Sequence, residues 1–321
     1  MRAPRLLAAI ALALSALSAA ACSSVPGGSG DNGLTTINVG VSPAAGTSTP
    51  MYLAVAQGVF RKLGLDVRLE PSTDGAVVVP RLMNGQLQFC MSSFGPFVSA
   101  ADKNLPIKMI APVNRQQSDG HYTAIIVPSG SKATDMSQVH VFAQQEGQPD
   151  PLSQLTVTRL NGDYKAMRLL AVPLGSIADA VGGGSADAGR LFQPFLAQAL
   201  AKGKVRALSY ITADVTLPGV PSAVFLGNQS YLAAHPDLAK RFAEGVREAN
   251  AYARDHLPEV GAYAAKTPLN SGAIPGDDLP DFDPNGVNVA LVQELLDLYD
   301  KEGYLTESLD AKTVTWVAGA S

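Results

Sequence analysis

The sequence predicts an α/β fold in which two lobes enclose a ligand cleft, and two observations favour this fold. Short apolar strands alternate with amphipathic helices through most of the chain. The length of 321 residues, of which 46% are hydrophobic and 16% charged, is enough for more than one buried core. No segment repeats with a period of about 20 to 50 residues, which excludes solenoids and propellers.

The composition excludes several classes of protein. The 24 Lys and Arg residues against 28 Asp and Glu residues give a formal charge of −4, so the chain is not a strongly basic nucleic-acid binder. Its apolar content excludes a disordered chain. Cys22 and Cys90 cannot form a disulfide framework, and Cys90 lies in an apolar run where a buried, inert thiol is expected.

The N-terminal residues predict an export signal rather than part of the fold. Arg2 and Arg5 precede an aliphatic stretch that ends at Ala21. This stretch is shorter than the roughly 20 apolar residues that a membrane-spanning helix needs. We therefore predict a signal peptide over residues 1–21.

The residues around Cys22 resemble a bacterial lipobox, because small side chains precede the cysteine and a Gly/Ser-rich segment follows it. Lipidation of Cys22 would anchor the exported protein at the outer face of the cytoplasmic membrane or in the periplasm, with residues 22–36 as a flexible tether. Ala19 stands where leucine is commonest, so ordinary signal-peptide cleavage and free export remain the alternative.

Strand and helix patterns alternate in the first part of the mature chain. Thr49 is expected to cap a helix whose first residue is Pro50, and Gly64 is expected to end it. The predicted strands are 37–41, 65–70, 87–91 and 107–113, and the other predicted helices are 76–83 and 93–101. This order implies parallel strands, so ligands are expected at the loops that follow them.

A second α/β unit follows, and the chain then becomes mostly helical. The predicted strands are 123–127, 139–143, 167–172, 188–192, 205–211 and 223–226, and the predicted helices are 151–160, 176–181, 194–202, 235–253 and 288–300. The chain is expected to cross between lobes near 121–125 and 210–225. We therefore predict one lobe from residues 37–122 and 222–321, with the second lobe, 123–221, inserted into it.

Motifs for catalysis, cofactors and metals are absent from the sequence. No Gly-x-Ser-x-Gly elbow or phosphate loop occurs, and the glycine run at 182–189 fails the dinucleotide spacing. The segment 281–286 imitates a calcium loop, but its twelfth position is Val292, so we predict a capping loop. The histidines stand singly, without metal-ligand spacing, at His121, His140, His235 and His256. We expect no catalytic residue, cofactor or metal.

Four segments carry a resemblance to a known family. They are 51–60, 82–89, 186–195 and 291–305, within a region from about Ile37 to Leu305. These segments resemble the solute-binding proteins of nitrate, sulfonate, taurine and thiamine-precursor ABC importers. The resemblance implies a type II periplasmic-binding fold, a monomer that closes on one small ligand and docks on an ABC permease with its ATPase.

The resemblance also implies a set of ligand-binding positions in the two lobes, most of them on loops or helix starts. They are Ser42, Thr47, Ser48, Tyr52, Ser92, Ser93, Phe94, Asn114, Arg115, Gln145, Arg190 and Gln193. Hydroxyls at helix N-termini favour an anion. Arg190 replaces an aromatic residue of the family's motif and Gln193 replaces a glutamate, which adds one positive charge and removes one negative charge. We therefore predict a small organic anion, of the sulfonate or carboxylate type.

Three alternatives remain open. A neutral aromatic or pyrimidine vitamin precursor could be held by Phe94, Tyr52 and Phe192. The same fold supports a pyrimidine-forming synthase, but that relative carries a cysteine-rich stretch, whereas Cys90 is the only cysteine inside this mature chain. A third alternative is a sensor or adhesion lipoprotein without a transported ligand.

Overall fold

The computed structural model describes residues 33–72, 78–116, 120–145, 151–211, 217–269 and 271–317. The predicted signal peptide, Cys22 and the predicted tether up to residue 32 lie outside these ranges, whereas Thr35 and Thr36, predicted to belong to the tether, are part of the first strand. The described residues form two β-sheets, one of six strands and one of five, with helices packed around them. The predicted α/β class with two lobes is confirmed.

The six-stranded sheet is mixed, with the order β11-β4-β10-β3-β1-β2. Its strands are β1 (Thr35–Val41), β2 (Leu65–Pro71), β3 (Phe89–Ser93), β4 (Ile107–Arg115), β10 (Pro221–Asn228) and β11 (Asp281–Phe282). The strand β1 pairs in parallel with β2 and β3, whereas β10 lies antiparallel between β3 and β4. The return strand β10 brings the chain back to this sheet after the second lobe.

The five-stranded sheet has the order β7-β6-β8-β5-β9. Its strands are β5 (Thr123–Pro128), β6 (Val141–Gln145), β7 (Arg168–Val172), β8 (Ala188–Phe192) and β9 (Val205–Tyr210). All of them come from the chain between β4 and β10. This arrangement agrees with the predicted insertion, and β10 begins at Pro221, one residue before the predicted boundary. The lobe boundaries themselves stay a prediction.

Twelve α-helices occur among the described residues. They are α1 (Ala45–Ala56), α2 (Val59–Lys62), α3 (Val78–Met83), α4 (Phe94–Asp102), α5 (Pro151–Arg159), α6 (Ile177–Gly182), α7 (Phe195–Ala201), α8 (Gln229–Ala234), α9 (Pro236–Asp255), α10 (Leu257–Ala264), α11 (Val289–Lys301) and α12 (Ala311–Val314). Within the described ranges, no helix combines the length and the apolar character that crossing a membrane requires.

The predicted start of the first helix is wrong. Helix α1 begins at Ala45, and Pro50 lies inside it as its sixth residue. The Ser42 hydroxyl accepts a hydrogen bond from the Ala44 N–H at 3.1 Å, and the Ser48 hydroxyl donates to the Ser42 carbonyl at 2.7 Å. These bonds fix the turn before Ala45. Proline keeps a helical φ, so at Pro50 the helix loses one hydrogen bond and continues.

The predicted capping loop at 281–286 is only partly correct, because its first two residues form β11. Asp281 pairs with Arg115 and Phe282 pairs with Asn114 in antiparallel register. Phe282 is fully buried. A strand of two residues is too short to show a period-two pattern, so its sequence carried no strand signal.

An aromatic cluster fills the space between the first sheet and α9. Phe242 of α9 stacks on Phe89 with ring centroids 4.2 Å apart and on Phe60 at 5.9 Å. Gly245 lies one turn further along α9, and a Cβ added there would stand 2.3 Å from Cε1 of Phe60. The missing side chain therefore allows the ring of Phe60 to reach the helix.

We expect Gly245→Ala to lower the free energy of unfolding by about 1–3 kcal/mol, the usual cost of adding a methyl group to a packed core. Urea unfolding of the two proteins measures this difference. Gly286→Ala serves as the control, since no atom lies within 4 Å of a Cβ at that position. Equal unfolding midpoints for Gly245→Ala and the wild type would show that the core relaxes without cost.

Candidate ligand-binding cleft

A cavity lies between the two sheets, with a volume of about 770 Å³ including the part open to solvent. Both lobes and the segments that cross between them line it. Its polar and aromatic lining residues are Ser42, Thr47, Ser72, Ser92, Ser93, Asn114, Arg115, Gln116, Tyr122, Thr123, Arg190, Phe192 and Ser222. A cavity of this size, shape and position is typical of a small-molecule site.

The carboxyl ends of four strands meet at the first-lobe wall of the cleft. Ser42 follows β1, Ser72 follows β2, Ser93 ends β3 and Arg115 ends β4. Parallel strands place these ends at one edge of a sheet, where the following loops are free to contact a ligand. The cleft therefore forms where the strand order predicts a binding site.

Two helices begin at this edge without a side-chain cap. The N-cap of α1 is Ala44 and the N-cap of α4 is Ser93, and neither side chain bonds to the first turn. First-turn N–H groups have no acceptor within their own helix, and they carry the positive end of the helix dipole. An anion in the cleft would satisfy such groups.

Two arginines supply the positive charge of the cleft. The Nε of Arg115 donates to Asp281 at 2.6 Å, and this carboxylate raises the pKa of the Arg115 guanidinium above its ordinary value. Arg190 reaches in from β8 of the second lobe, where its Nη1 donates to the Ser153 hydroxyl at 2.9 Å. No carboxylate occurs among the described lining residues, but Asp281 lies just outside them and pairs with Arg115, so the positive charge of the described wall rests on Arg190.

No metal site accompanies these groups in the described part of the chain, where no cluster of three or more His, Cys, Asp or Glu side chains is placed to hold an ion. The chemistry of the lining is instead that of hydroxyls, amides and guanidinium groups. Such donors bind oxyanions by charge-assisted hydrogen bonds.

Tyr122 joins the two lobes at the base of the cleft. Its hydroxyl is hydrogen-bonded to the Thr47 hydroxyl of α1, and its ring stacks with Phe192 at a centroid distance of 6.2 Å. Desolvation by burial raises the pKa of Tyr122 to about 12, against the opposing effects of Thr47 and Arg190. The phenol is therefore neutral at physiological pH, where its hydroxyl bonds to Thr47 of the first lobe while its ring contacts Phe192 of the second.

The raised pKa of Tyr122 predicts a loss of stability in alkali. The neutral phenol is favoured in the folded state, so its contribution is complete below the unfolded pKa of 10.0 and is lost as the pH rises through about 12. We expect Tyr122→Phe to show a shallower fall in unfolding free energy between these pH values, measured by urea unfolding. Identical slopes in the two proteins would contradict the assigned pKa.

A second contact between the lobes is made by α5. Leu155 of this second-lobe helix is fully buried in a hydrophobic cluster with Phe97 and Tyr299 of the first lobe. The Thr158 hydroxyl lies 3.1 Å from the Tyr304 hydroxyl. The guanidinium of Arg159 lies 3.8 Å from the carboxylate of Glu302. We call these three contacts, made by Leu155, Thr158 and Arg159, the α5 clasp. The clasp holds the lobes together in the observed arrangement.

The structure brings seven of the predicted binding residues to the cleft. They are Ser42, Thr47, Ser92, Ser93, Asn114, Arg115 and Arg190. Phe192, part of the alternative aromatic pocket, also lines it. Their roles in binding remain predictions.

The other predicted binding residues do not line the cleft. Phe94 is buried in the first-lobe core, where it packs edge-on against Phe97 at 5.6 Å. Tyr52 packs beside the cluster that contains Phe242. Ser48 is occupied by the turn at Ser42 described above, and Gln145, at the end of β6, is buried outside the lining. Ser48, Phe94 and Gln145 lie near a strand or helix end but are buried in the protein, whereas Tyr52 lies in the middle of α1 and is half-buried.

Gln193 also lies outside the lining, and its contacts explain why. Its Oε1 accepts the Ala197 N–H at 3.0 Å, and its Nε2 donates to the His121 carbonyl at 3.3 Å. The side chain thus caps the start of α7 and ties it to the crossing segment at Tyr122. A glutamine provides both the acceptor and the donor for these two bonds.

Sequence reasoning missed five polar residues of the cleft, Ser72, Gln116, Tyr122, Thr123 and Ser222. Ser72 follows β2, so the strand-end rule applied to every strand would have found it. Gln116 directly follows β4, where the same rule applies, and Tyr122, Thr123 and Ser222 lie in the crossings predicted near 121–125 and 210–225. Segments that cross between lobes form the floor of an interlobe cleft, which is the signal that could have identified them.

Two sheets joined by crossing segments around a cleft are the architecture of periplasmic binding proteins. The structure is similar to the periplasmic aliphatic sulphonate binding protein SsuA of Escherichia coli, with a TM-score of 0.67, 16% identity, and coverage of 89% of this chain and 93% of that chain. It is also similar to the nitrate-binding protein NrtA of Synechocystis PCC 6803, with a TM-score of 0.69, 16% identity, and coverage of 88% and 85%. At this identity the likeness establishes the fold.

The family model described as NMT1/THI5 like matches residues 46–259, and the chain belongs to that family. YtlA of Bacillus subtilis (strain 168), whose name describes it as a candidate binding protein, is 23% identical over 252 residues, which cover 75% of this chain and 70% of YtlA. The resemblance drawn from the four sequence segments is confirmed.

Proposed function

We propose that this protein is the extracytoplasmic substrate-binding component of an ABC importer, and that its cleft captures a small organic anion of the sulfonate or carboxylate type. The fold and the family support the binding role, and the sulphonate-binding SsuA and the nitrate-binding NrtA favour an oxyanion as the ligand. The bound, closed form would deliver the ligand to a membrane permease.

The single observation that supports an anionic ligand is the positive charge of the groups that face the cleft. The cleft is bordered by the N-termini of α1 and α4, which have no side-chain cap, and by the guanidinium of Arg190. No carboxylate occurs among the described lining residues. These groups come from both lobes. An anion would therefore make its full set of contacts only when the lobes are closed, which gives closure its driving force.

The neutral aromatic alternative has weaker support. Of its three proposed residues only Phe192 lines the cleft, while Phe94 and Tyr52 lie elsewhere. The rings of Tyr122 and Phe192 both line the cleft, but they stack on each other with centroids 6.2 Å apart, so they do not enclose a flat aromatic ligand between them.

The protein is proposed to act after export, as a monomer. The basic and aliphatic start of the sequence and the small residues before Cys22 support a signal peptide followed by a lipid anchor. Both features lie outside the described residues, so they rest on the sequence alone.

Thermal unfolding in the presence of candidate ligands tests the function. We expect propanesulfonate or benzoate, or an anion like them, to stabilise the protein by about 2.7 kcal/mol at a hundred times its dissociation constant. Thymine and thiamine precursors serve as the neutral and cationic comparisons, and nitrate as the inorganic one. Stabilisation by thymine alone would overturn the anion assignment but keep the binding role.

A further inference from the structure

Asn114 stands at an irregularity in the first sheet that turns it towards the cleft. The register between β4 and β10 shifts on both sides of the pair Asn114 and Ala223, so that Val113 and Ser222 are left as extra residues. Pro112, the next paired residue, has no N–H to donate to the ladder, and such a position is typically accompanied by a bulge. Bulges re-aim side chains next to binding sites.

The side chain of Asn114 is buried, with 2% of the residue exposed, yet its Oδ1 accepts no hydrogen bond from any residue in the described ranges. The residue lines the cleft. A buried amide oxygen without a donor costs free energy, and native proteins rarely leave one unless another group completes it. Because Asn114 lines the cleft, a donor bound there is placed to complete this oxygen.

The surroundings of Asn114 show where this group would lie. Ala223 pairs with Asn114 on one side and with Ser93, the N-cap of α4, on the other. Two strand spacings, about 10 Å, therefore separate the backbone of Asn114 from the start of α4. The small side chain of Ala223 leaves the space between them open to the cleft.

We propose that Asn114 is a specificity-determining residue that selects organic anions carrying a hydrogen-bond donor, a hydroxyl or an amine, a few atoms from the anionic group. This inference rests on the proposed function, because the helix N-termini and Arg190 must hold the anionic end. The hydroxyl or amine of the ligand donates the hydrogen bond that Oδ1 of Asn114 lacks. A ligand with a methyl group in that place would leave the buried oxygen unsatisfied and bind less tightly.

Titration calorimetry of the full mature chain with matched ligand pairs tests the proposal. Isethionate is compared with propanesulfonate, and γ-hydroxybutyrate with pentanoate, so that each pair differs by a hydroxyl in place of a methyl group. We expect the hydroxylated member of at least one pair to bind about tenfold more tightly. Equal or weaker binding of both hydroxylated members would overturn the role of Asn114.

The variant Asn114→Leu tests whether a preference for the hydroxylated ligand depends on this residue. It keeps the approximate volume of the side chain and removes the acceptor, so we expect the preference to disappear while the methyl-bearing ligand binds at least as well. Asn38→Leu, in β1 and outside the cleft lining, is the matched control and should keep the preference. A preference retained in Asn114→Leu would overturn the assignment.

The same experiment separates this inference from the proposed function. If propanesulfonate and pentanoate bind the wild type without any effect of the hydroxyl, the anion site stands and the role of Asn114 fails. If none of the four anions binds, the proposed function fails and the role of Asn114 with it. The wild-type ratios alone decide between these outcomes, even if the leucine variant does not fold.

Discussion

Arg190→Ala is expected to weaken the binding of an organic anion by about 2–3 kcal/mol, a factor of roughly 30 to 150 in the dissociation constant. Arg190 is the charged side chain that the second lobe contributes to the described lining of the cleft. Its planar guanidinium can pair with two oxygens of a sulfonate or carboxylate at once. Titration calorimetry of the wild type and the variant with the same anion measures the loss.

Two further variants make this result specific. Arg168→Ala removes an exposed arginine of the same lobe, at the start of β7, and should leave the affinity unchanged apart from a small effect of net charge. Arg190→Lys keeps the charge without the fork and should recover part of the loss. If Arg190→Ala bound the anion as tightly as Arg168→Ala, the guanidinium would have no part in recognition.

Leu155→Ala is expected to shift the protein towards an open arrangement of its lobes. Leu155 belongs to α5 of the second lobe, but it is buried in the core cluster of the first. Truncating a buried leucine usually costs about 2–5 kcal/mol, and here much of that cost falls on the observed lobe arrangement that the α5 clasp stabilises. Small-angle X-ray scattering without ligand should show a larger radius of gyration in the variant.

Ligand affinity should fall in the same variant, because part of the binding free energy is then used to close the lobes. Leu196→Ala is the matched control, since Leu196 is equally buried but lies in the core of the second lobe alone. It should lower stability without changing the radius of gyration. Similar scattering curves for Leu155→Ala and Leu196→Ala would show that the clasp does not control lobe opening.

Much of the fold could be predicted from the sequence because its helices and strands carry clear local patterns. The long helix α9, opened by His235 and Pro236, and the helix α11, capped by Asn288, were predicted within two residues of their observed ends. By contrast, β11 depends on pairing with β4, more than a hundred and fifty residues earlier in the chain. A pairing between such distant residues leaves no local pattern in the sequence.

The cleft could be predicted only in part, for a similar reason. A strand end indicates that the following residues can reach a ligand, and this was enough for Ser42, Ser93 and Asn114. It does not indicate which way each side chain faces. Phe94 and Gln193 stand beside cleft residues in the sequence, but one packs into the core and the other caps α7. Only the tertiary packing distinguishes these cases.

Native mass spectrometry of the mature protein, purified without added ligand, tests the central claim most directly. The account predicts that a fraction of the protein carries a small molecule whose exact mass and negative-ion spectrum identify an organic sulfonate or carboxylate. It also predicts that this fraction falls sharply in Arg190→Ala and not in Arg168→Ala. A neutral aromatic molecule, retained equally by the wild type and Arg190→Ala, would contradict the account.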